Sequence, residues 1–244
     1  MDAAIILLAL AIAGAAALYS SVGHGGASAY IALMALAGLA PEEIRPAALV
    51  LNIVVAGLGA WRYVRAGRFD RQAFWPFAVT AIPAAFIAGS IDIPEHVYRP
   101  LLAAALAAAA LRYLLWPQID AVKASKPPAK VIALPTGAAL GALAGITGIG
   151  GGVYLSPLLV FMGWADAQRA TGIAALFIVV NSLAGLAGRA SSLAALPIYL
   201  PWLALAAVGG AAIGTTISLQ GMTRQTILRA LGAVLGIASI ALVS

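Results

Sequence analysis

Residues 20–26 read Ser20-Ser21-Val22-Gly23-His24-Gly25-Gly26 and separate two apolar runs, residues 3–19 and 28–40. A second glycine-rich interruption, Thr147-Gly148-Ile149-Gly150-Gly151-Gly152, separates the apolar runs 131–147 and 152–163. The short run after each interruption would reach only about 18 Å as a helix, too little to cross about 30 Å of hydrocarbon. We therefore predict two helical hairpins, each broken at its glycine-rich stretch.

The composition around these breaks predicts a membrane protein. Of the 244 residues, 63% are hydrophobic and 9% are charged, against about 25% charged in an ordinary soluble domain. So few charges argue against a soluble enzyme, and the net charge of +6 is better explained by membrane topology than by nucleic-acid binding. The chain has no cysteine, which excludes disulfides and thiolate metal sites. We expect no metal, no cofactor and no nucleic-acid partner.

Ten apolar segments follow one another along the chain. They are residues 3–19, 28–40, 46–61, 74–91, 98–116, 131–147, 152–163, 170–188, 196–219 and 226–243. With the N-terminus outside, the gaps 61–72, 112–130, 163–169 and 220–229 are cytoplasmic and hold eleven of the 14 Lys and Arg residues. This distribution obeys the positive-inside rule. It predicts a multi-pass protein of a bacterial-type inner membrane, with both termini outside.

The second half of the sequence resembles the first when it is moved back by 125 residues. Eight residues are identical over the 26 aligned positions from Ala13 to Gly38. Five segments in each half would place the second half upside down, which is the pattern of secondary transporters. We predict an all-α polytopic membrane protein of two inverted repeats, residues 1–116 and 131–244, joined by a cytoplasmic linker, residues 117–130. A duplication with only a structural role is the alternative.

The two glycine-rich stretches are the predicted substrate site. A helix start carries unpaired N–H groups and a partial positive charge, and glycine lets a ligand approach that backbone closely. Hydroxyl groups and His24 add donors, and the predicted helices contain no Asp or Glu, which favours an anion over a cation. The predicted binding residues of the two stretches are Ser20, Ser21, Gly23, His24, Gly25, Gly26, Ser28, Thr147, Gly148, Gly150, Gly151 and Gly152. Close helix packing is the alternative for the glycines, and a helix cap is the alternative for His24.

Two buried amides and two arginines complete the candidates. Asn52 and Asn181 occupy similar places in the halves and are included in the predicted substrate site, where they would support the binding residues or gate access. Hydrogen bonds that only join helices are the alternative. Arg45 and Arg169 precede helices in matching positions. They could steer anions, although we favour solvated interface charges.

At these residues the sequence resembles the TauE/SafE sulfite exporter family, also called the 4-toluene sulfonate uptake permease family. The resemblance rests on Gly23-His24-Gly25-Gly26, on Gly148-Ile149-Gly150-Gly151-Gly152 with Ser156-Pro157, and on Asn52 and Asn181. It covers essentially the whole chain. It implies a transporter of small sulfur-containing anions such as sulfite or organosulfonates.

The expected function is therefore a secondary carrier that works by alternating access in the lipid bilayer on a small anion. An anion channel of the same architecture is the first alternative. An intramembrane serine–histidine enzyme, using Ser20 or Ser28 beside His24, is a weaker one, because no nucleophile motif accompanies either serine. The sequence leaves the particular anion, the direction of transport, the coupling ion and the oligomeric state open.

Overall fold

A computed structural model describes residues 3–21, 23–115 and 128–219, together with Ala233, Gly236, Ser239 and Ile240. The described residues form helices and no strand, so the all-α prediction is confirmed. The α-helices are α1 (Ala3–Ser21), α2 (Ala27–Leu36), α3 (Pro41–Arg65), α4 (Arg71–Gly89), α5 (Glu95–Leu115), α6 (Lys130–Thr147), α7 (Gly152–Phe161), α8 (Ala167–Gly188) and α9 (Leu200–Leu219). A 3-10 helix, Ala190–Ala195, lies between α8 and α9.

Six described helices are long and apolar enough to cross a membrane: α1, α3, α4, α6, α8 and α9. Helices suit this environment because they pair their own backbone groups, which lipid cannot do. The helices α2 and α7 have only ten residues each, and each begins directly after a glycine-rich stretch. The predictions of a polytopic membrane fold and of two short segments after the breaks are therefore confirmed.

Some helix ends differ from their predicted positions. The helix α3 extends beyond the predicted segment 46–61 at both ends. Its added first turn contains Glu42 and Glu43, and its last turn contains Arg62 and Arg65. An apolar run ends at the first charged residue. A helix can continue beyond it, because acidic residues at its start and basic residues at its end interact favourably with its dipole. Apart from Ala233, Gly236, Ser239 and Ile240, the predicted segment 226–243 lies outside the described residues, and so does most of the linker 117–130.

Close backbone contacts join α1 to α9 and α4 to α6. A Cβ atom on Gly210 or Gly214 of α9 would overlap the carbonyl oxygen of Ala13 or Ala17 of α1, respectively. In α6, a Cβ atom on Gly137, Gly141 or Gly145 would likewise overlap backbone of α4. Small residues permit this close approach of helices in membranes. Because the contacts advance in the same direction along both helices, each pair is parallel.

The bundle has two ends, named here after two arginines of α3. At the Arg45 end, Arg189 after α8 donates to the Ile91 carbonyl (2.8 Å) and to Asp92 Oδ1 (3.0 Å) after α4. At the Arg62 end, the backbone of Arg68 packs against Gly172 near the start of α8. Each end therefore joins gaps that the charge pattern assigned to one side of the membrane.

The two halves repeat one order of elements: a long helix, a glycine-rich stretch, a ten-residue helix and another long helix. The glycines that match at a spacing of 125 residues also share a backbone conformation with positive φ. They are Gly23 and Gly148 (both 80°), Gly26 and Gly151 (95° and 73°), and Gly38 and Gly163 (82° and 69°). Glycine is favoured at such positions because it has no Cβ to clash. The division into inverted halves stays a prediction.

Candidate functional site

The first glycine-rich stretch leads from the Arg62 end back to the middle of the bundle. A Cβ atom on Gly23 would overlap the Thr171 side chain near the start of α8. Two residues later, a Cβ atom on Gly25 would overlap Oδ1 of Asn52, which lies near the middle of α3. The helix α2 therefore begins at mid-depth, beside Asn52, and then runs toward the Arg45 end, where α3 begins.

The second stretch reaches the same depth from the opposite end. A Cβ atom on Gly148 would lie 3.7 Å from the carbonyl oxygen of Arg45, near the start of α3. A Cβ atom on Gly150 would lie 3.0 Å from Nδ2 of Asn52. The helix α7 then begins at Gly152 and runs toward the start of α8. The starts of α2 and α7 thus lie side by side in the interior, each approached from a different end.

Asn52 connects the two stretches directly. Its Oδ1 accepts a hydrogen bond from the backbone N–H of Ala27 (3.1 Å), the first residue of α2. Its Nδ2 donates to the carbonyl oxygens of Ile149 (3.2 Å) and Gly148 (3.5 Å). Asn52 is fully buried. One amide therefore caps the start of α2 and holds the backbone of the second stretch.

A second connection joins the first stretch to α7. His24 Nε2 lies 2.9 Å from the hydroxyl of Ser156, and both side chains are buried. Either atom can donate, depending on which ring nitrogen of His24 carries the proton. The predicted histidine therefore joins the first stretch to α7.

The glycines of the site leave no room for larger side chains. A Cβ atom on Gly25, Gly150 or Gly152 would lie 3.2 Å or less from a side-chain carbon of Ile178 in α8. Gly26 and Gly151 cap α2 and α7 in left-handed conformations, with φ of 95° and 73°. Glycine is therefore required here by close contact at some positions and by backbone conformation at others.

The predicted hydroxyl groups have different partners. Ser21 Oγ donates to the Leu18 carbonyl (2.6 Å), and Ser28 Oγ donates to the Tyr19 hydroxyl (2.8 Å). Thr147 Oγ1 donates to Leu143 (2.7 Å) and accepts from the Ile149 N–H (3.3 Å), so it supports the end of α6. Ser20 Oγ is buried with no hydrogen-bond partner among the described residues. Of these four hydroxyls, only that of Ser20 makes no hydrogen bond within the described residues.

Asn181 does not repeat the role of Asn52. Its Nδ2 donates to Phe177 of its own helix (2.9 Å), while its Oδ1 has no partner in the described chain. The neighbouring Ser182 Oγ is also unpartnered, and it would lie 3.3 Å from a Cβ atom on Gly150. Buried polar atoms without partners are costly and call for an explanation such as a bound ligand or water.

The expectation of two solvated arginines is wrong for Arg45. Its side chain is buried, with 6% of the residue exposed, and Nη2 donates to the Gly145 carbonyl of α6 (3.2 Å). The guanidinium is covered by the last turn of α6, through Gly145, and by the ring of Tyr98. Arg169 does lie at the surface, where it pairs with Asp166 at 3.4 Å.

All fourteen predicted site residues are buried. Asn52, Gly25 and Gly150 are brought together, whereas Ser21, Ser28 and Thr147 mainly support their own segments. The sequence prediction did not assign Ser156 or Ile178 to the site. Ser156 lies on the short helix after the second stretch, but nothing local in the sequence indicates that it meets His24. Ile178 is one apolar residue among many and gives no signal.

In the described part of the chain, six helices of membrane-spanning length and two short helices that begin in the interior form the discontinuous-helix arrangement typical of membrane transport proteins. The chain belongs to the sulfite exporter TauE/SafE family, whose model matches residues 7–242. It is also 39% identical over 220 residues to the probable membrane transporter protein y4hK of Sinorhizobium fredii (strain NBRC 101917 / NGR234). That match covers 89% of each chain. No solved structure matches the chain significantly.

Proposed function

We propose that the protein is a secondary carrier of small sulfur-containing anions, such as sulfite or organosulfonates, and that it works by alternating access. The observation that carries this proposal is the meeting of the α2 and α7 starts beside Asn52. Membership of the sulfite exporter TauE/SafE family supports the same substrate class. Secondary transporters commonly bind substrates at interrupted helices near the middle of the membrane.

The chemistry of this region suits an anion. Two helix starts present N–H groups and partial positive charge. Among the described residues, the buried polar and charged side chains include His24 and Arg45 but no carboxylate. A cation would find carbonyl and hydroxyl oxygens here but no negative side chain. The charge balance therefore favours a bound anion.

The proposed halves, residues 1–116 and 131–244, are related as inverted repeats. Three observations support this relation: the repeated order of elements, the matching positive-φ glycines and the entry of the glycine-rich stretches from opposite ends. Under the 125-residue shift, α1 corresponds to α6 and α4 corresponds to α9. The parallel pair of α1 and α9 therefore corresponds to the parallel pair of α6 and α4. Rocking of one half against the other would expose the centre to each side in turn.

The proposed location is a bacterial-type inner membrane, with the Arg45 end and both termini outside. A membrane potential that is negative inside helps an anion outward by about 2.3 kcal/mol per charge per 100 mV. Export could then proceed without a coupling ion, whereas uptake would need one. For proton coupling we propose His24, since its titratable imidazole belongs to the first stretch and contacts α7.

Counterflow in proteoliposomes tests the carrier proposal against the channel alternative. Vesicles loaded with unlabelled sulfite should accumulate labelled sulfite transiently, because a carrier exchanges its substrate across the membrane. A channel would instead pass voltage-driven current and show no counterflow. If sulfite and organosulfonates produce neither exchange nor current, the proposed substrate class is wrong.

The intramembrane enzyme remains a second candidate because His24 contacts a serine. The structure brings Ser156, rather than Ser20 or Ser28, within hydrogen-bond distance of His24 Nε2. A serine activated by a histidine base would react with a fluorophosphonate probe. We expect no labelling in the wild-type protein, and labelling that disappears in Ser156→Ala would instead support the enzyme.

A further inference from the structure

Arg45 is a buried cation with spare hydrogen-bond donors. Its Nη2 donates to the Gly145 carbonyl, and its Cζ lies 5.0 Å from the ring centroid of Tyr98. A guanidinium group has five N–H donors, and the described structure gives this one a single hydrogen bond. Burial of a charge is costly unless a partner compensates it. In the described structure these neighbours are a neutral carbonyl and an aromatic ring, and neither carries a negative charge.

The carboxylate of Asp92, near Arg45, forms its ion pair with Arg189 instead. Asp92 pairs with Arg189 at 3.0 Å, and the Asp92 side chain is 94% exposed. Both residues lie within electrostatic range of Arg45. Glu42 and Glu43 also lie at this end, in the first turn of α3, but neither is paired with Arg45 in the described structure. An anion that reaches the guanidinium would supply the negative partner that Arg45 lacks.

The position of Arg45 links this charge to the second glycine-rich stretch. Gly145 belongs to the last turn of α6, directly before that stretch. The Tyr98 hydroxyl, under the guanidinium, donates to the carbonyl of Thr147 (3.2 Å). Arg45 precedes Asn52 by seven residues in α3, which corresponds to about 10 Å along the helix. The guanidinium therefore lies between the Arg45 end and the centre of the bundle.

The matching arginine of the second half lacks these properties. Arg169 lies at the start of α8, as Arg45 lies at the start of α3. Its side chain is 48% exposed, and it already pairs with Asp166. The chain thus provides two arginines in similar positions, of which only Arg45 is buried without a carboxylate partner among the described residues.

We propose that Arg45 is an anion-binding residue of the pathway, on the side of the centre that faces the Arg45 end. This inference rests on the proposed anion transport and adds a preference for one class of anion. A planar guanidinium binds two oxygens of one group through paired N–H donors, which an ammonium group cannot do. The ligand class is accordingly a small oxyanion with two adjacent oxygens, such as sulfite or a sulfonate, in preference to a spherical halide.

The test uses the full chain, purified in detergent, with sulfite, methanesulfonate and chloride as probes. Affinity is measured from the rise in melting temperature with probe concentration for the wild type and for Arg45→Gln, Arg45→Lys and Arg169→Gln. For Arg45→Gln, sulfite affinity should fall at least about ten-fold, the effect of losing one charge-assisted hydrogen bond. Arg45→Lys should keep anion binding but lose the preference for sulfite over chloride. Arg169→Gln should bind sulfite within about two-fold of the wild type, because its exposed ion pair contributes little.

The outcomes separate this inference from the proposed function. If the wild type binds sulfite and Arg45→Gln binds it equally well, Arg45 is only a structural residue and the inference is wrong. If Arg45→Gln does not fold, unchanged affinity and preference in Arg45→Lys overturn the inference in the same way. If the wild type responds to none of the three anions, the proposed anion transport fails as well. A structural role alone would lower the melting temperature without probe and leave the affinity unchanged.

Discussion

His24 Nε2 lies 2.9 Å from the hydroxyl of Ser156, although 132 residues separate them in the chain. The bond joins the first glycine-rich stretch to the short helix that follows the second one. If the two residues act as one unit, their removal should not be additive. Each of Ser156→Ala and His24→Gln should weaken sulfite affinity up to about ten-fold, as expected for the loss of about 0.5–1.5 kcal/mol.

The double variant is the measurement that decides this prediction. With both residues replaced, the affinity for sulfite should be no lower than in whichever single variant binds sulfite less tightly. The affinity is measured by counterflow at several sulfite concentrations. Losses that simply multiply would show that the two side chains act independently.

The glycines at the centre should not tolerate side chains. Gly25→Val places its side chain against Asn52, and Gly150→Val places it against Ile178 in a backbone conformation with φ of 85°. Both variants should express and insert but lose sulfite exchange, because the two helix starts are forced apart. Gly209→Val is the matched control, since a Cβ atom on Gly209 meets nothing within 4 Å. Full exchange in Gly25→Val and Gly150→Val would contradict the proposed site.

The two asparagines should differ in their effect on stability. Asn52→Ala leaves the Ala27 N–H and the Ile149 carbonyl unpaired, at about 1–3 kcal/mol for each buried group. Asn181→Ala removes only a bond within its own helix and should cost less. The melting temperature in detergent should therefore fall clearly further for Asn52→Ala. An equal fall would mean that the bonds of Asn52 to the two stretches do not stabilise the fold.

Asn181→Ala should affect transport more strongly than it affects stability. Oδ1 of Asn181 and Oγ of Ser182 have no partner in the described part of the chain, so both can bind a ligand or form a new hydrogen bond in the other transport state. We therefore expect Asn181→Ala to slow sulfite exchange about ten-fold, the effect of one lost hydrogen bond to an ion. Exchange at the wild-type rate would show that Asn181 has no part in transport.

The orientation can be tested directly because the chain contains no cysteine. Ser90 lies at the Arg45 end and Gln72 at the Arg62 end, and both are exposed. In intact cells, a membrane-impermeant maleimide should label Ser90→Cys but not Gln72→Cys, and the reverse should hold in inverted vesicles. The opposite pattern would reverse the proposed topology and, with it, the side of the membrane that Arg45 faces.

Much of the helical architecture follows from the sequence, since it depends on local properties. Apolar runs define the spanning helices because each run must satisfy its own backbone in lipid. The glycine pairs at a spacing of 125 residues indicate repeated turns, and those turns have matching φ values. The apolar run 46–61 predicts a helix shorter than α3, because the terminal turns of α3 contain charged residues that the helix dipole favours.

Pairing across the chain was decided by the tertiary structure alone. The sequence places His24 and Ile149 in the two glycine-rich stretches, Ser156 in the short run after the second stretch and Asn52 in the run 46–61, but it does not say which atoms touch. Nor does it distinguish Arg45 from Arg169, since both occur beside charged residues at a helix start. Burial of Arg45 results from the packing of the last turn of α6 and of Tyr98 against it. Hydropathy and glycine conformation are properties of each segment by itself, whereas hydrogen-bond partners and burial exist only once segments from both halves are packed together.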